Sequence, residues 1–295
     1  MKPSSAPFIK YFTYLGLLCA GLFLLSACGR FDTIPYDPST SPTAWLTIQP
    51  FVEFKLAGQN IILMQPSTTA FVYLLGLLTA GLGCYFLFRQ NGQRARLWWG
   101  VALVLWGLGA LLAGTSYEAF SYAIKCAGRE TCIWTSWWEI LYLIATVWSF
   151  DAMILAVAHS SASGWLRRIL ISYALLNGLL YFAFVMAGAF LPIKYWISFD
   201  MLIAVSTPGI LISLLVNGWR WFKTRAPLEL ALLGTWFWLG ITIAAYFLYY
   251  LSGLTGVLWA RGAWFSENDV LHIFLIAWMI YIGRVVGPLL KDHSR

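Results

Sequence analysis

Charge is what this sequence has least of. Asp, Glu, Lys and Arg together supply 11% of its 295 residues, where an average soluble domain carries about 25%. With 60% hydrophobic residues, a water-facing surface would expose large apolar patches and aggregate. The composition therefore points away from a soluble enzyme, a nucleic-acid binder and a disordered chain. No phosphate-binding glycine loop, nucleotide fingerprint or Ser/His/Asp arrangement falls on a soluble face, because no soluble domain exists to carry one. The last apolar run has no lysine, which excludes a retinal Schiff base.

What is present is apolar and long. A hydrocarbon core about 30 Å thick needs roughly 20 apolar residues at 1.5 Å per residue. Eight stretches meet that length: 8–27, 67–88, 98–120, 133–158, 167–190, 196–218, 228–252 and 269–287. The fold class expected is an all-α polytopic membrane protein. A seven-helix transmembrane bundle is preceded by a signal-like or first transmembrane helix. The chain divides into that first segment (1–28), an extracytoplasmic segment (29–66), the seven-helix domain (67–287) and a cytoplasmic tail (288–295).

The net charge of +7 reads as topology rather than as a nucleic-acid surface. Lys2, Lys10, Arg89, Arg94, Arg96, Arg167, Arg168, Arg220, Lys223, Arg225, Arg284, Lys291 and Arg295 share one side. Arg30, Lys55, Lys125, Arg129, Lys194 and Arg261 share the other. The positive-inside rule makes the richer side cytoplasmic, so the C-terminus is inside a cell (inner) membrane crossed several times.

Two readings of the first stretch stand side by side. Lys2 and Lys10 precede an apolar run that ends in Leu25-Ser26-Ala27-Cys28-Gly29, an order that resembles a bacterial lipoprotein signal with Cys28 as the lipidated residue. The other reading is an ordinary first helix that ends at Cys28. Beyond it, Pro35, Pro38, Pro42 and Pro50 mark an extended linker. Strand-like pieces at 51–55 and 61–64 around Gly58-Gln59-Asn60 suggest a short hairpin. Cys126 and Cys132, six positions apart in one outside loop, are favoured as a disulfide over a metal site, since further cysteine and histidine are lacking nearby. Cys19 and Cys84 read as packing residues.

Ionisable groups inside a bilayer are costly, so each is a functional candidate. Glu118, Glu139, Asn268, Asp269 and His272, with Asp200, fall in one layer near the outer ends of four stretches. Asn268 and His272, four apart, stack on one helix face. Asp151 follows Glu139 by 12 residues, so it lies about 18 Å deeper and points away. A polar pair with Asn177 and a proton-relay role remain equal readings for it. Glu118 also has a plain alternative, an outer-end residue reaching water and paired with Lys125 or Arg129. His159 reads as a solvated helix end, and His293 carries no signal.

Seven helices with an outside N-terminus and polar residues on the second, third and last core helices resemble the alkaline ceramidase and progestin/adipoQ receptor superfamily. Members are membrane hydrolases in which histidines hold zinc and metal-bound water attacks an amide. The family's Ser-x-x-x-His falls on Gly114 and Glu118, its helix-three Asp on Glu139, and its His-x-x-x-His on Asn268 and His272. The resemblance implies one divalent metal on Glu118, Asn268 and His272. Zinc is the family's ion, while this donor set suits manganese or iron equally. It also implies Glu139 as catalytic acid/base and a membrane lipid amide or ester as substrate, entering from the outer leaflet. Two other classes stay open: a transporter or small-ligand receptor, for which Gly107, Gly109, Gly114 and Pro208-Gly209 speak, and a non-catalytic scaffold.

Overall fold

The computed structural model describes residues 30–293; the stretch at 8–27 and Cys28 lie outside the described residues. The chain is an all-α polytopic membrane protein. Among the described residues, seven helices are long and apolar enough to cross a membrane: 66–88, 94–119, 137–161, 164–190, 199–224, 227–252 and 267–289. They coincide with the last seven stretches expected from hydropathy.

Before them comes a small cap of residues 30–65. Helix α1 (Pro42–Ile48) starts where Ser41 accepts a hydrogen bond from the Ala44 amide and Pro42 takes the first helical position. Strands β1 (Phe51–Leu56) and β2 (Gln59–Met64) then pair antiparallel, with Phe51 opposite Met64 and Leu56 opposite Gln59. The turn is Ala57-Gly58, both at positive φ (49° and 83°), the backbone that suits a two-residue hairpin. Gln59 and Asn60 therefore belong to the strand and not to the expected turn. The helical α1 was not expected in what read as linker.

The membrane helices are α2 (Pro66–Phe88), α3 (Arg94–Ala113), α5 (Trp137–Ser161), α6 (Gly164–Phe190), α7 (Phe199–Thr224), α8 (Pro227–Ser252) and α10 (Glu267–Tyr281). Two short helices, α4 (Ser121–Lys125) and α9 (Leu254–Ala260), sit between spans at the same end as the hairpin. That end is called the hairpin end below, and the opposite one the tail end. Start signals are local. Pro66 and Pro227 open α2 and α8, Ser198 caps α7 through the Met201 amide, and Ser266 with Asp269 forms a capping box on α10. Helix α7 continues through Pro208.

Helix α5 is the axis of the bundle: 83% of its apolar window is buried, against 28–50% for the other six spans. Ala145, Ser149, Ala152, Ala156 and Ser160 lie three or four apart and are all buried. Without a hydrophobic force between helices in lipid, such small residues let neighbours approach. Ser149 uses the proximity to donate to the Ala102 carbonyl of α3 at 2.7 Å. Helices α2 and α3 approach more closely still, since a Cβ on Gly107 would lie 2.6 Å from the Ala80 amide nitrogen. Cys84, expected to pack inside, is exposed on α2.

Near the hairpin end α3 widens into a π-turn, Gly114–Ala119, and breaks at Phe120. The sequence had suggested an unbroken helix to residue 120. Gly114 fits there because a Cβ would strike Val72 at 2.3 Å. Single π-turns concentrate at functional positions, and this one carries Ser116, Tyr117 and Glu118.

Candidate functional site

The cap closes over the hairpin end through backbone pairing. Tyr36 donates to the Cys132 carbonyl, Cys132 to Thr40 and Trp134 to Ile34. Cys126 and Cys132 are disulfide-bonded and fully buried, packed with Trp45 and Met64. The bond holds the 126–132 loop against the cap.

Beneath it lies the polar layer. Lys125 and Glu139, each 2% exposed, form an ion pair. Ser116 donates to Glu139 Oε1 at 2.8 Å and shares a 2.7 Å hydrogen bond with Ser136. The Lys125 ammonium also sits 4.6 Å over the Tyr117 ring and donates to the Trp134 carbonyl. Two charges removed from water are sustained only when paired and hydrogen-bonded in this way. In the cap above, burial and then the nearby Glu139 charge raise the Tyr36 hydroxyl above its ordinary pKa.

Glu118 is buried and only loosely held. Asn268 Nδ2 reaches its Oε1 at 3.5 Å, and its Oε2 has no hydrogen-bond partner. His272 follows Asn268 by one helical turn on the same face of α10, about 6 Å deeper. It is buried too, and its Nδ1 is unpartnered. Asp269 commits one oxygen to the helix start: its Oδ2 accepts from the Ser266 amide at 2.6 Å and from Thr68 at 3.1 Å, while its buried Oδ1 has no partner. Asp200 is exposed and takes no place in the layer.

The structure thus brings Glu118 and Asn268 together, places His272 a turn below, and commits Glu139 to Lys125. That pairing corrects the plain alternative for Glu118, since Lys125 takes Glu139 and Arg129 takes Asp32 at 3.0 Å. Among the described residues no group of three His, Cys, Asp or Glu side chains gathers where one metal ion could be held. Glu118, Asn268 and His272 bring two strong ligands and an amide, and asparagine is a poor zinc ligand. The donor set does not fit the zinc centre implied by the resemblance.

Below His272 a cavity of about 410 Å³ opens in the bundle. Six of the seven spans line it, all but α6. Its walls are apolar (Trp106, Phe150, Leu202, Ile210 and Trp236 among them), and His272 stands on the wall nearest the polar layer. Thr207 and Leu211 of α7 and Gly240 of α8 line it and are themselves exposed, so its mouth opens sideways between those two helices. The volume lies in the range of small-molecule pockets, about 300–1,000 Å³.

A second polar cluster at the tail end was missed by sequence reasoning. Glu229 and Asn217 are almost fully buried. Glu229 Oε2 accepts from Asn217 at 2.8 Å and from Ser161 at 3.0 Å, and its Oε1 faces Arg220 at 3.5 Å. Trp236 donates to the Asn217 carbonyl oxygen at 3.0 Å. Every group there is satisfied, as a structural network requires. The available signal was Glu229 itself, two residues past Pro227, a position that otherwise reads as an ordinary acid in a helix's first turn.

No protein-family model matches the chain, and no curated protein is similar to it.

Proposed function

We propose that this integral membrane protein binds a single membrane lipid, its acyl chain in the central cavity and its polar linkage at His272, Asn268 and Glu118. The observation that carries the reading is the descent of polar groups along one face of α10 into an apolar cavity with a lateral mouth. An amphiphile has the same order of polarity along its length. The charge distribution of the connectors supports an orientation with the hairpin end outside and the C-terminus in the cytoplasm, so the lipid enters from the outer leaflet.

A second reading, hydrolysis of an amide or ester in that lipid, is favoured by one observation. Glu118 Oε2 and His272 Nδ1 are both buried without partners, and buried unpaired groups in native proteins call for an explanation. A water between a carboxylate and an imidazole is the arrangement general-base attack on a carbonyl uses. Glu139, held by Lys125, positions the layer and does not take the proton.

The test is binding of an N-acyl amide with a fluorescent chain to the purified protein in micelles. Saturable one-to-one binding is expected, weakened at least tenfold by Ser206→Trp, which fills the cavity, and by His272→Ala. Equal partitioning into wild type and Ser206→Trp would remove the lipid-binding reading. Release of free fatty acid by wild type, lost in Glu118→Gln with binding retained, would establish the hydrolase reading. Binding with no turnover would leave a lipid receptor.

A further inference from the structure

A second crevice, of about 450 Å³, lies on the outside of the bundle and is separate from the central cavity. Helices α3 and α6 each pack on α5 but scarcely touch one another, so α5 forms the floor of a groove between them. The rim is lipid-facing: Leu175 and Leu179 of α6 are more than half exposed. The walls are apolar and aromatic, with Trp98, Trp148 and Phe182, the last two 5.9 Å apart and tilted by 32°. One polar side chain lines it, the carboxyl of Asp151.

Asp151 is 94% buried, with 6% of its surface exposed. Asn177 Nδ2 donates to its Oδ1 at 2.9 Å, whereas Oδ2 has no partner. Space for that oxygen exists because residue 178 is glycine: a Cβ there would lie 2.9 Å from Oδ2 and 3.2 Å from Trp148 Cδ1. The Trp148 indole is already satisfied by the Gly178 carbonyl at 3.2 Å. No ion pair among the described residues includes Asp151. A carboxyl in hydrocarbon without a counter-charge is costly to ionise, and its neutral form can donate a hydrogen bond. With Oδ1 accepting from Asn177, Oδ2 is the oxygen free to make that bond to an acceptor.

Depth selects what can supply that acceptor. Asp151 is 14 residues into a helix of 25, about 21 Å from its start and near the middle of a 30 Å core. Phospholipid ester carbonyls lie at the interface and do not reach it. A molecule that dissolves wholly in the lipid phase, carries a carbonyl and presents a flat ring to indole walls does. We propose that this crevice is a binding site for a quinone-type lipophile, one ring carbonyl accepting a hydrogen bond from Asp151 and the ring lying against Trp148 and Phe182.

Decylubiquinone is the probe, titrated into the purified full chain in micelles and followed by quenching of tryptophan fluorescence. Saturable one-to-one quenching is expected. Asp151→Leu, which removes the donor, should weaken it at least tenfold, whereas Asp151→Asn should stay within about threefold because an amide donor replaces the hydroxyl. Gly178→Ala should lose binding as its methyl takes the space beside Oδ2. Melting curves identify any variant that fails to fold, and Gly178→Ala, which leaves the carboxyl in place, keeps the test decisive if Asp151→Leu does. Quenching that never saturates, or equal affinity in Asp151→Leu and wild type, would overturn the assignment. So would relief of the quenching by tetradecane, which has no carbonyl, at concentrations comparable with those of the quinone. His272→Ala should leave decylubiquinone affinity unchanged. A drop there would place the quinone in the central cavity and refute this site while leaving lipid binding in that cavity standing.

Discussion

Lys125 and Glu139 exchange the solvation of water for each other, and the arrangement around them shows how completely. Ser116, Tyr117 and the Trp134 carbonyl occupy the remaining directions of the two charges. Breaking one member of such a pair leaves a charge with neither water nor partner, which costs about 3–5 kcal/mol, whereas replacing both with apolar groups is often neutral. Lys125→Met should therefore lower stability in a denaturing-detergent titration by about that amount. The double variant Lys125→Met/Glu139→Leu should recover most of the loss. Sequence reasoning gave Glu139 an acid/base role and did not foresee its ion pair with Lys125. The reason lies in the 126–136 loop, whose path back to α5 depends on the disulfide and on strand-like pairing with the cap. No periodicity reports that path. Asp151 was more legible, because a straight helix suffices to set its depth, and Asn177 stands on the neighbouring span to receive it at 2.9 Å.

At the scale of elements, hydropathy alone located the seven spans, since a bilayer sets their length and allows few other structures to cross. Shorter elements were harder. Helix α1 has seven residues and too little apolar periodicity to register, although Ser41-Pro42 carried its start signal. The π-turn at Gly114–Ala119, whose first residue packs closely against Val72, leaves no local signature. The cap is the element most dependent on covalent help. A two-stranded hairpin is marginal alone, and here it rests on Trp45, Met64 and the cystine. Closing a loop this short is worth about 2 kcal/mol by chain entropy. Replacing both Cys126 and Cys132 with serine should therefore make the 51–64 hairpin cleavable by added protease while the seven spans keep their helical content by circular dichroism. Concerted melting of cap and spans would show instead that the cap is an integral part of the bundle.

At the scale of the whole molecule, residues 292 and 293 close the tail end of the bundle. Asp292 accepts from the amides of Arg94 and Ala95, at 3.0 and 2.7 Å, where α3 begins, so a carboxylate caps the positive end of that helix. His293 donates its amide to the His159 carbonyl at 2.8 Å and receives Arg220 on Nδ1 at 3.2 Å. Arg167 of α6, Arg220 of α7 and Glu229 of α8 all face the imidazole. Burial, then the two arginines, hold its pKa below the ordinary histidine value, with Glu229 opposing them. Such a group is protonated more readily in the released tail than in the docked one. The docking contribution is thus fully present above about pH 6.5, the ordinary histidine value, and falls as pH drops below it toward the depressed folded value. Amide exchange at residues 290–293 should accordingly be slow at pH 7.5. After correction for intrinsic rates, protection should decline between pH 6.5 and 5.5. His293→Gln, which keeps a side-chain acceptor but cannot titrate, should flatten that dependence. The tail bridges α3, α5, α6 and α7 at the end opposite the polar layer, so its release should loosen the tail end and leave any ligand affinity of the proposed site at His272 unchanged.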